Sequence, residues 1–298
     1  MTSIRRELRQ FGLSPRKGMG QHFLVDRRVL ERILRTAEVR PDEVVLEVGP
    51  GLGELTLGLA RLARRVICVE LDSGLAEVLK QKVKGLSNVD ILIEDILKTD
   101  FEALFLRFQR PLKVVANLPY QISTPLLFRF MESRHLFSDL TLMLQREVVE
   151  RLVAPPGGKP YGALSVLIQS VSEPSLRFVV RPSAFFPPPK VESAVVRILW
   201  KERTILDRVG EEWFRRVVRA SFGYRRKTLL NALKRSDLLP SGSIEPRLKA
   251  IGIDPGRRPE TLTLEEFALL AEGLRGPEKS IEKGPGNDYL KGDLNPRR

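Results

Sequence analysis

A short turn with distinctive polar chemistry lies at Asn117-Leu118-Pro119-Tyr120, directly after an apolar run. The side-chain carbonyl of Asn117 and the backbone carbonyl of Leu118 can accept the two hydrogens of an exocyclic amine such as that of adenine. Pro119 favours an extended conformation at Leu118, and the ring of Tyr120 offers a stacking surface worth about 1–3 kcal/mol per base. The turn predicts a site that orients a nucleobase amine for attack on a methyl donor. The alternative is an ordinary strand-end turn with a packed tyrosine.

A glycine-rich loop lies earlier in the chain. Its glycines are Gly49, Gly51 and Gly53, and Glu54 stands where the dinucleotide fingerprint G-x-G-x-x-G has its third glycine. Glu47 adds a carboxylate beside the loop, which would repel a pyrophosphate at short range. S-adenosylmethionine has no phosphate and carries a sulfonium and an ammonium. The pattern therefore favours S-adenosylmethionine over NAD.

Two further acidic residues follow apolar runs. Glu70 lies 21 residues after Gly49, where a carboxylate can accept hydrogen bonds from both ribose hydroxyls. Asp95 follows the next run, where it can accept a hydrogen bond from an adenine amine. Each could instead be a solvated strand-end residue. Because the carboxyl ends of parallel strands meet at one edge of a sheet, we expect one shared site.

The elements that must position these residues alternate in type. Short apolar runs typical of strands lie at 43–48, 66–69, 89–93, 113–116, 140–144 and 191–200. Helical patterns lie between several of them, at 54–62, 71–83 and 125–131. This alternation predicts an α/β fold, with a mainly parallel sheet, helices on both faces and right-handed crossovers. The ligand is expected beyond the carboxyl ends of the strands.

The hydrophobic period changes to 3.6 residues from Glu211 onwards, and Thr263 with Glu266 forms a capping box. We therefore expect a catalytic domain at 1–203, which includes a basic N-terminal extension at 1–40, and a small helical domain at 204–275. The segment 276–298 has few large apolar residues, so we expect it to be disordered.

The chain of 298 residues carries a formal net charge of +13. Residues 1–40 contribute +6 and residues 201–250 contribute +7, whereas residues 41–200 contribute only +1. Basic segments on both sides of a neutral body favour a polyanionic partner such as a nucleic acid. A well-solvated surface is the alternative.

Membrane insertion, secretion and cysteine-rich chemistry are disfavoured. No apolar run reaches the length of a membrane span, and four charged residues near the start interrupt any signal-peptide core: Arg5, Arg6, Glu7 and Arg9. The single cysteine, Cys68, excludes an internal disulfide and a cysteine-rich zinc site. We expect a cytoplasmic protein with no bound metal.

Six short motifs follow one another along the chain. They are GQHFL (20–24), EVGPGLG (47–53), ELD (70–72), NLPYQISTP (117–125), QREVV (145–149) and FFPPPKVESAVV (185–196). Together they resemble the ribosomal RNA adenine dimethyltransferase family, specifically its bacterial small-subunit type, over about residues 14–272. The resemblance implies a class I, Rossmann-like methyltransferase that uses S-adenosylmethionine. The implied substrate is a pair of adjacent adenines in a hairpin loop near the 3′ end of 16S rRNA, each dimethylated at N6 within the 30S particle.

The resemblance also implies roles for individual residues. The implied cofactor contacts are His22, Leu24, Gly49, Glu70, Asp95 and Asn117. Tyr120 and Phe185 would bracket a flipped base. At position 22 bacterial relatives often have Asn, so a side-chain contact from His22 does not follow from the family pattern. The basic residues expected to contact the rRNA backbone are Arg16, Lys17, Arg215, Arg219, Arg225, Arg226 and Lys227.

Three other functions remain as alternatives. The same fold could methylate 23S rRNA, although the basic C-terminal segment and the Phe-Phe-Pro-Pro-Pro stretch favour the small-subunit substrate. The protein could instead be a ribosome-assembly or RNA-binding factor in which methyl transfer is secondary. An NAD-dependent oxidoreductase is disfavoured by Glu54. A monomer is expected.

Overall fold

The computed structural model describes residues 3–16, 20–224 and 226–275. The predicted disordered tail, 276–298, lies outside the described residues. The strands are β1 Phe23–Leu24, β2 Val44–Val48, β3 Arg65–Glu70, β4 Val89–Ile93, β5 Leu112–Asn117, β6 Phe137–Gln145, β7 Ser172–Val180, β8 Phe185–Phe186 and β9 Ser193–Trp200.

The helices connect these strands and then continue alone. They are α1 Ser3–Gln10, α2 Arg27–Ala37, α3 Glu54–Ala60, α4 Ser73–Lys82, α5 Phe101–Phe108, α6 Ser123–Glu132, α7 Arg146–Leu152, α8 Ala163–Val171, α9 Leu206–Val209, α10 Glu211–Phe222, α11 Leu229–Lys234, α12 Ser241–Ala250 and α13 Leu264–Leu274. None of the helices in the described ranges combines the length and apolar composition that a bilayer crossing requires.

Seven strands form one sheet in the order β4-β3-β2-β5-β6-β9-β7. The strands from β4 to β6 pair in parallel, and β9 runs antiparallel to both of its neighbours. The chain order reverses between the adjacent strands β2 and β5, which creates a crevice at their carboxyl ends. The predicted α/β class and parallel sheet are confirmed, and the loops after β2, β3, β4 and β5 meet at one edge.

The two faces of the sheet are buried in two hydrophobic cores. Val44, Leu46 and Val48 of β2 face one core, and Val45 faces the other. This alternation follows from the two-residue period of a strand. Because both faces of the sheet are covered, its parallel strands are continuous apolar runs in the sequence. These runs allowed the strands to be predicted.

Helices α9–α13 lie within the predicted helical segment 204–275. Their buried side chains, such as Phe214 and Phe267, belong to the same core as one face of the sheet. The Thr263–Glu266 capping box at the start of α13 is present as predicted. The division of the chain into two domains near residue 204 stays a prediction.

Candidate active site

A cavity opens at the carboxyl edge of β2, β3, β4 and β5. Nine of the residues proposed from sequence line it together: His22, Leu24, Gly49, Glu70, Asp95, Asn117, Leu118, Pro119 and Tyr120. They come from five separate segments of the chain. The sheet order explains their meeting, because the loops that follow neighbouring parallel strands lie side by side.

The glycine loop, between β2 and α3, lines this cavity. Gly51 and Gly53 have φ values of +56° and +80°, a region that side chains disfavour. At Gly53 an added Cβ would also lie 2.4 Å from Cδ1 of Leu79 on α4. Glycine therefore allows both the tight turn and the close approach of α4.

Glu70 holds the glycine loop from the end of β3. Its Oε2 accepts the backbone N–H of Gly51 at 3.1 Å, and its Oε1 accepts that of Asp72 at 2.9 Å. Burial raises the pKa of the Glu70 carboxyl, and these backbone donors lower it in part. Each oxygen keeps a second lone pair that can accept a ligand hydroxyl.

The charged side chains of the described residues that line the cavity have one sign. Carboxyl groups line it at Glu47, Glu54, Glu70, Glu94 and Asp95, and no lysine or arginine of the described ranges does so. Asp95 is half-buried, and its Oδ1 accepts the backbone N–H of Leu97 at 2.9 Å. Such a lining favours a cationic ligand and disfavours a pyrophosphate. The donor set therefore fits S-adenosylmethionine better than a dinucleotide.

The Asn117–Tyr120 turn lines the same cavity from the end of β5, the neighbour of β2. Nδ2 of Asn117 donates to the backbone carbonyl of His22 at 3.3 Å, which leaves the amide oxygen as an acceptor. The hydroxyls of Tyr120 and Ser193 lie 2.7 Å apart, so β9 anchors the ring of Tyr120. The turn thus presents an acceptor and an aromatic ring from a fixed backbone.

The ring of His22 is a neighbour of Tyr120 that sequence reasoning did not identify. The two ring centroids are 5.7 Å apart at an interplanar angle of 32°. Nδ1 of His22 donates to the backbone carbonyl of Pro187 at 2.7 Å. The contact joins residues 98 positions apart, so no local sequence pattern indicates it. The sequence analysis placed His22 in the site only through a family motif.

Comparison with known proteins identifies the family. The family model described as ribosomal RNA adenine dimethylase matches residues 12–275. The chain belongs to the ribosomal RNA adenine dimethylase family. The resemblance seen in the sequence motifs is confirmed.

Curated members of the ribosomal RNA adenine dimethylase family are similar over nearly their whole length. The ribosomal RNA small subunit methyltransferase A of Geobacter metallireducens is 47% identical over 90% of this chain and 98% of its own. The protein of the same name from Pelotomaculum thermopropionicum is 44% identical over 91% of this chain and 95% of its own.

Two solved structures share the fold. A dimethyladenosine transferase from Plasmodium falciparum has a TM-score of 0.73 and 28% identity, covering 84% of this chain and 96% of its own. The 23S rRNA methyltransferase ErmE has a TM-score of 0.66 and 28% identity, covering 85% of this chain and 99% of its own. The fold is therefore that of the Rossmann-like methyltransferases of the ribosomal RNA adenine dimethylase family.

The structure does not bring Phe185 to the cavity. Phe185 pairs with Leu24 in the β1–β8 ladder, is 4% exposed and belongs to the same hydrophobic core as Val195 and Met143. Sequence proximity to the proline run could not reveal which face of β8 is buried. The role of Phe185 as a second ring beside the base stays a prediction.

The predicted RNA-contacting residues differ in their surroundings. Arg215 is 13% exposed and forms ion pairs with Glu132 at 2.7 Å and Glu211 at 3.0 Å. It therefore joins α10 to α6, which a sequence pattern of basic residues could not show. The exposed members of the set are Arg16, Arg219, Arg226 and Lys227. Arg16 forms an ion pair with Asp72, and Lys17 and Arg225 lie outside the described residues.

Proposed function

We propose that this chain dimethylates the exocyclic N6 of two adjacent adenosines in a hairpin loop near the 3′ end of 16S rRNA. The observation that carries the proposal is the single cavity shared by the carboxylate-lined glycine loop and the Asn117–Tyr120 turn. The carboxylate-lined glycine loop suits a cationic methyl donor, and the Asn117–Tyr120 turn suits a nucleobase amine. S-adenosylmethionine, when bound, supplies the methyl group.

The cofactor would be held by residues from several strand ends. Glu70 is placed to accept the ribose hydroxyls while it holds Gly51. Asp95 retains carboxylate lone pairs for an adenine amine, and Gly49 lets the backbone approach closely. His22 and Leu24 line the same cavity from the β1 segment. These assignments give binding and orientation of the cofactor, and they leave orientation of the target base to the Asn117–Tyr120 turn.

The target base would be oriented by the Asn117–Tyr120 turn. The amide oxygen of Asn117 and the backbone carbonyl of Leu118 would accept the two amine hydrogens, so the nitrogen lone pair turns out of the ring plane. Tyr120 would support the base by stacking. Adenines in RNA loops are already partly unstacked, which lowers the free energy needed to insert one. Rate then comes from orientation and in-line approach rather than from a strong base.

The small-subunit substrate is favoured by the relatives. The proteins named small subunit methyltransferase A are 44–47% identical over about 90% of this chain, whereas the 23S rRNA methyltransferase ErmE is 28% identical. The implied partner is 16S rRNA within a 30S precursor. This role would place the protein in the cytoplasm as a monomer that assists small-subunit biogenesis.

Transfer of a labelled methyl group tests the proposal. The full chain, labelled S-adenosylmethionine and immature 30S particles should give dimethyladenosine at two adjacent positions of 16S rRNA. The Asn117→Ala variant should bind particles but lose transfer. Gln81→Ala, which removes an exposed amide on α4, is the matched control and should retain it.

Two outcomes would contradict the proposal. Label confined to 23S rRNA would assign the alternative substrate. Absence of label in any rRNA would remove the methyltransferase assignment. If an Asn117→Ala variant that binds but does not methylate still supports normal particle assembly, the assembly role belongs to binding, as in the assembly-factor alternative, and not to methyl transfer.

A further inference from the structure

Helix α2 presents a row of arginines on the face opposite its buried side. Ile33 and Ala37 are buried, and α2 packs against β6 and β9. The exposed face carries four arginines: Arg27, Arg28, Arg32 and Arg35. None of these was assigned a role by the sequence motifs or by the geometry of the methyl-transfer cavity.

Three arginines surround one shallow depression beside this helix. Arg32, Arg35 and Thr36 line it from α2, and Arg177 and Phe178 line it from the edge strand β7. The guanidinium carbon of Arg32 lies 3.8 Å from the centroid of the Phe178 ring. Stacking on an aromatic ring orients a planar guanidinium and leaves its N–H groups available to an oxyanion. We call these five residues the arginine depression.

The positive charge of the arginine depression is only partly offset. In the described part of the chain, no carboxylate lies within 4.0 Å of the guanidinium nitrogens of Arg32, Arg35 or Arg177. The nearby acids are Glu31, on α2 itself, and Glu38, whose carboxylate already pairs with Arg197 at 2.6 Å. Arg177 acts on Glu38 only through the longer-range field.

The placement of Arg27, Arg28 and Arg32 opposes the stability of α2, whereas Arg35 lies in the last turn, where the helix dipole favours a cation. Arg28 and Arg32 are four residues apart and Arg32 and Arg35 are three apart, spacings at which like charges repel. Arg27 and Arg28 also lie in the first turn, where the helix dipole disfavours cations. A bound polyanion would relieve both effects.

We propose that the arginine depression binds phosphates of the RNA backbone, as a second contact on the rRNA substrate. The inference rests on the proposed function. Leu30 of the same helix lines the methyl-transfer cavity. At a rise of about 1.5 Å per residue, Arg32 and Arg35 lie roughly 3 and 8 Å farther along the axis. Arg32 and Arg35 are also rotated by about 200° and 140° around the helix from Leu30, so a strand that delivers an adenine to the cavity would cross over α2 to reach the arginine depression.

The arginine depression is built from α2 and β7, whereas the predicted contacts Arg226 and Lys227 belong to the helical segment 204–275. Guanidinium groups contact phosphates through paired N–H donors without reading base sequence. The arginine depression would thus set the position of the RNA and leave the choice of base to the cavity.

Salt-dependent binding of the full chain to small-subunit particles tests the inference, with no S-adenosylmethionine present. The variant is Arg32→Gln, Arg35→Gln and Arg177→Gln combined. The matched control combines Arg61→Gln, Arg64→Gln and Lys84→Gln, which removes three exposed cations that have no ion pair within the described ranges.

Loss of three phosphate contacts should reduce the slope of log affinity against log salt by about 2, at about 0.7 per contact to single-stranded RNA. The Kd for particles should rise roughly ten-fold or more near physiological salt. The control should change neither quantity beyond about two-fold. Affinity for S-adenosylmethionine and the single-turnover rate at saturating particles should stay within about two-fold of wild type.

An unchanged salt slope in the triple variant would overturn the inference, even if the wild-type chain methylates 16S rRNA. An equal loss in the control variant would also overturn it, because net charge alone would then explain binding. Loss of binding to anionic phosphatidylserine vesicles with unchanged RNA binding would assign the surface to a membrane instead. If the wild type binds particles but transfers no methyl group, a reduced slope in the variant still supports the surface, and only the proposed function fails.

Discussion

Thr56 Oγ1 donates a hydrogen bond to Glu47 Oε2 at 2.6 Å, and this bond joins β2 to α3 across the glycine loop. Glu47 is 2% exposed, and burial raises its pKa to about 7. The hydrogen bonds from Thr56 and Cys68 oppose that shift in part. A carboxyl group beneath the loop is therefore close to its titration point at neutral pH.

The Glu47 carboxyl predicts a fall in stability as pH rises. Below about pH 4.5 the folded and unfolded states both hold the proton. Between about 4.5 and 7 the unfolded chain has released it and the folded chain has not, so the free energy of unfolding falls by about 3 kcal/mol across this window. Above about 7 the loss is complete and constant.

Urea unfolding of wild type and Glu47→Gln at a series of pH values measures this effect. The amide keeps an acceptor for Thr56 but does not titrate in this range. The stability difference between the two proteins should therefore change by about 3 kcal/mol from pH 4.5 to 8. Parallel stability curves would show that Glu47 keeps the same pKa on folding.

Replacement of Glu70 by alanine should weaken the binding of the cofactor selectively. Glu70→Ala removes the acceptor proposed for the ribose and releases the backbone N–H of Gly51. Hydrogen bonds to charged groups are worth about 1.5–3 kcal/mol, so affinity for S-adenosylmethionine should fall roughly 10- to 100-fold. Isothermal titration calorimetry measures this affinity. Glu77→Ala, on the exposed face of α4, should bind as wild type does; equal affinity in the Glu70 variant would contradict the assignment.

Sequence patterns predicted the inner strands because burial on both faces gives continuous apolar runs. They gave no signal for β7, whose sequence SEPSLRFVV mixes exposed polar residues with a proline at an edge position. They also missed the β1–β8 pair, since two residues are too short for any period and the partners are 161–163 positions apart.

Site residues that lie at the end of a strand, or directly after it, could be predicted from the sequence. Glu70, Asp95 and Asn117 meet because β3, β4 and β5 run parallel in one sheet and end at the same edge. Side-chain partners across the sheet were not predictable. The two ion pairs of Arg215 and the burial of Phe185 depend on packing between distant segments, which a local motif does not encode.

Gly53 predicts a steric coupling between the loop and α4. In Gly53→Ala the new Cβ would lie 2.4 Å from Cδ1 of Leu79, at a φ of +80°, so stability should fall by about 1–3 kcal/mol. Shortening Leu79 to Ala removes the clash but leaves the strain. The double variant should therefore be more stable than the sum of the single losses predicts, by at least about 0.5 kcal/mol.

Urea unfolding of the single and double variants provides that comparison. Gly85→Ala is the control, because its added Cβ would meet no atom within 4 Å. Strictly additive losses at Gly53 and Leu79 would mean that the two positions do not touch in solution.

Replacement of Tyr120 by alanine should lower turnover without lowering the affinity for the cofactor. Tyr120→Ala removes the stacking surface, worth about 1–3 kcal/mol, so the single-turnover rate should fall roughly 5- to 100-fold. Tyr120→Phe keeps the ring and loses only the hydroxyl contact with Ser193, 2.7 Å away. Ser193→Ala removes the same contact from the other side, so these two variants should show similar, smaller losses. If Tyr120→Phe were as slow as Tyr120→Ala, the hydroxyl rather than the ring would be the group that positions the base.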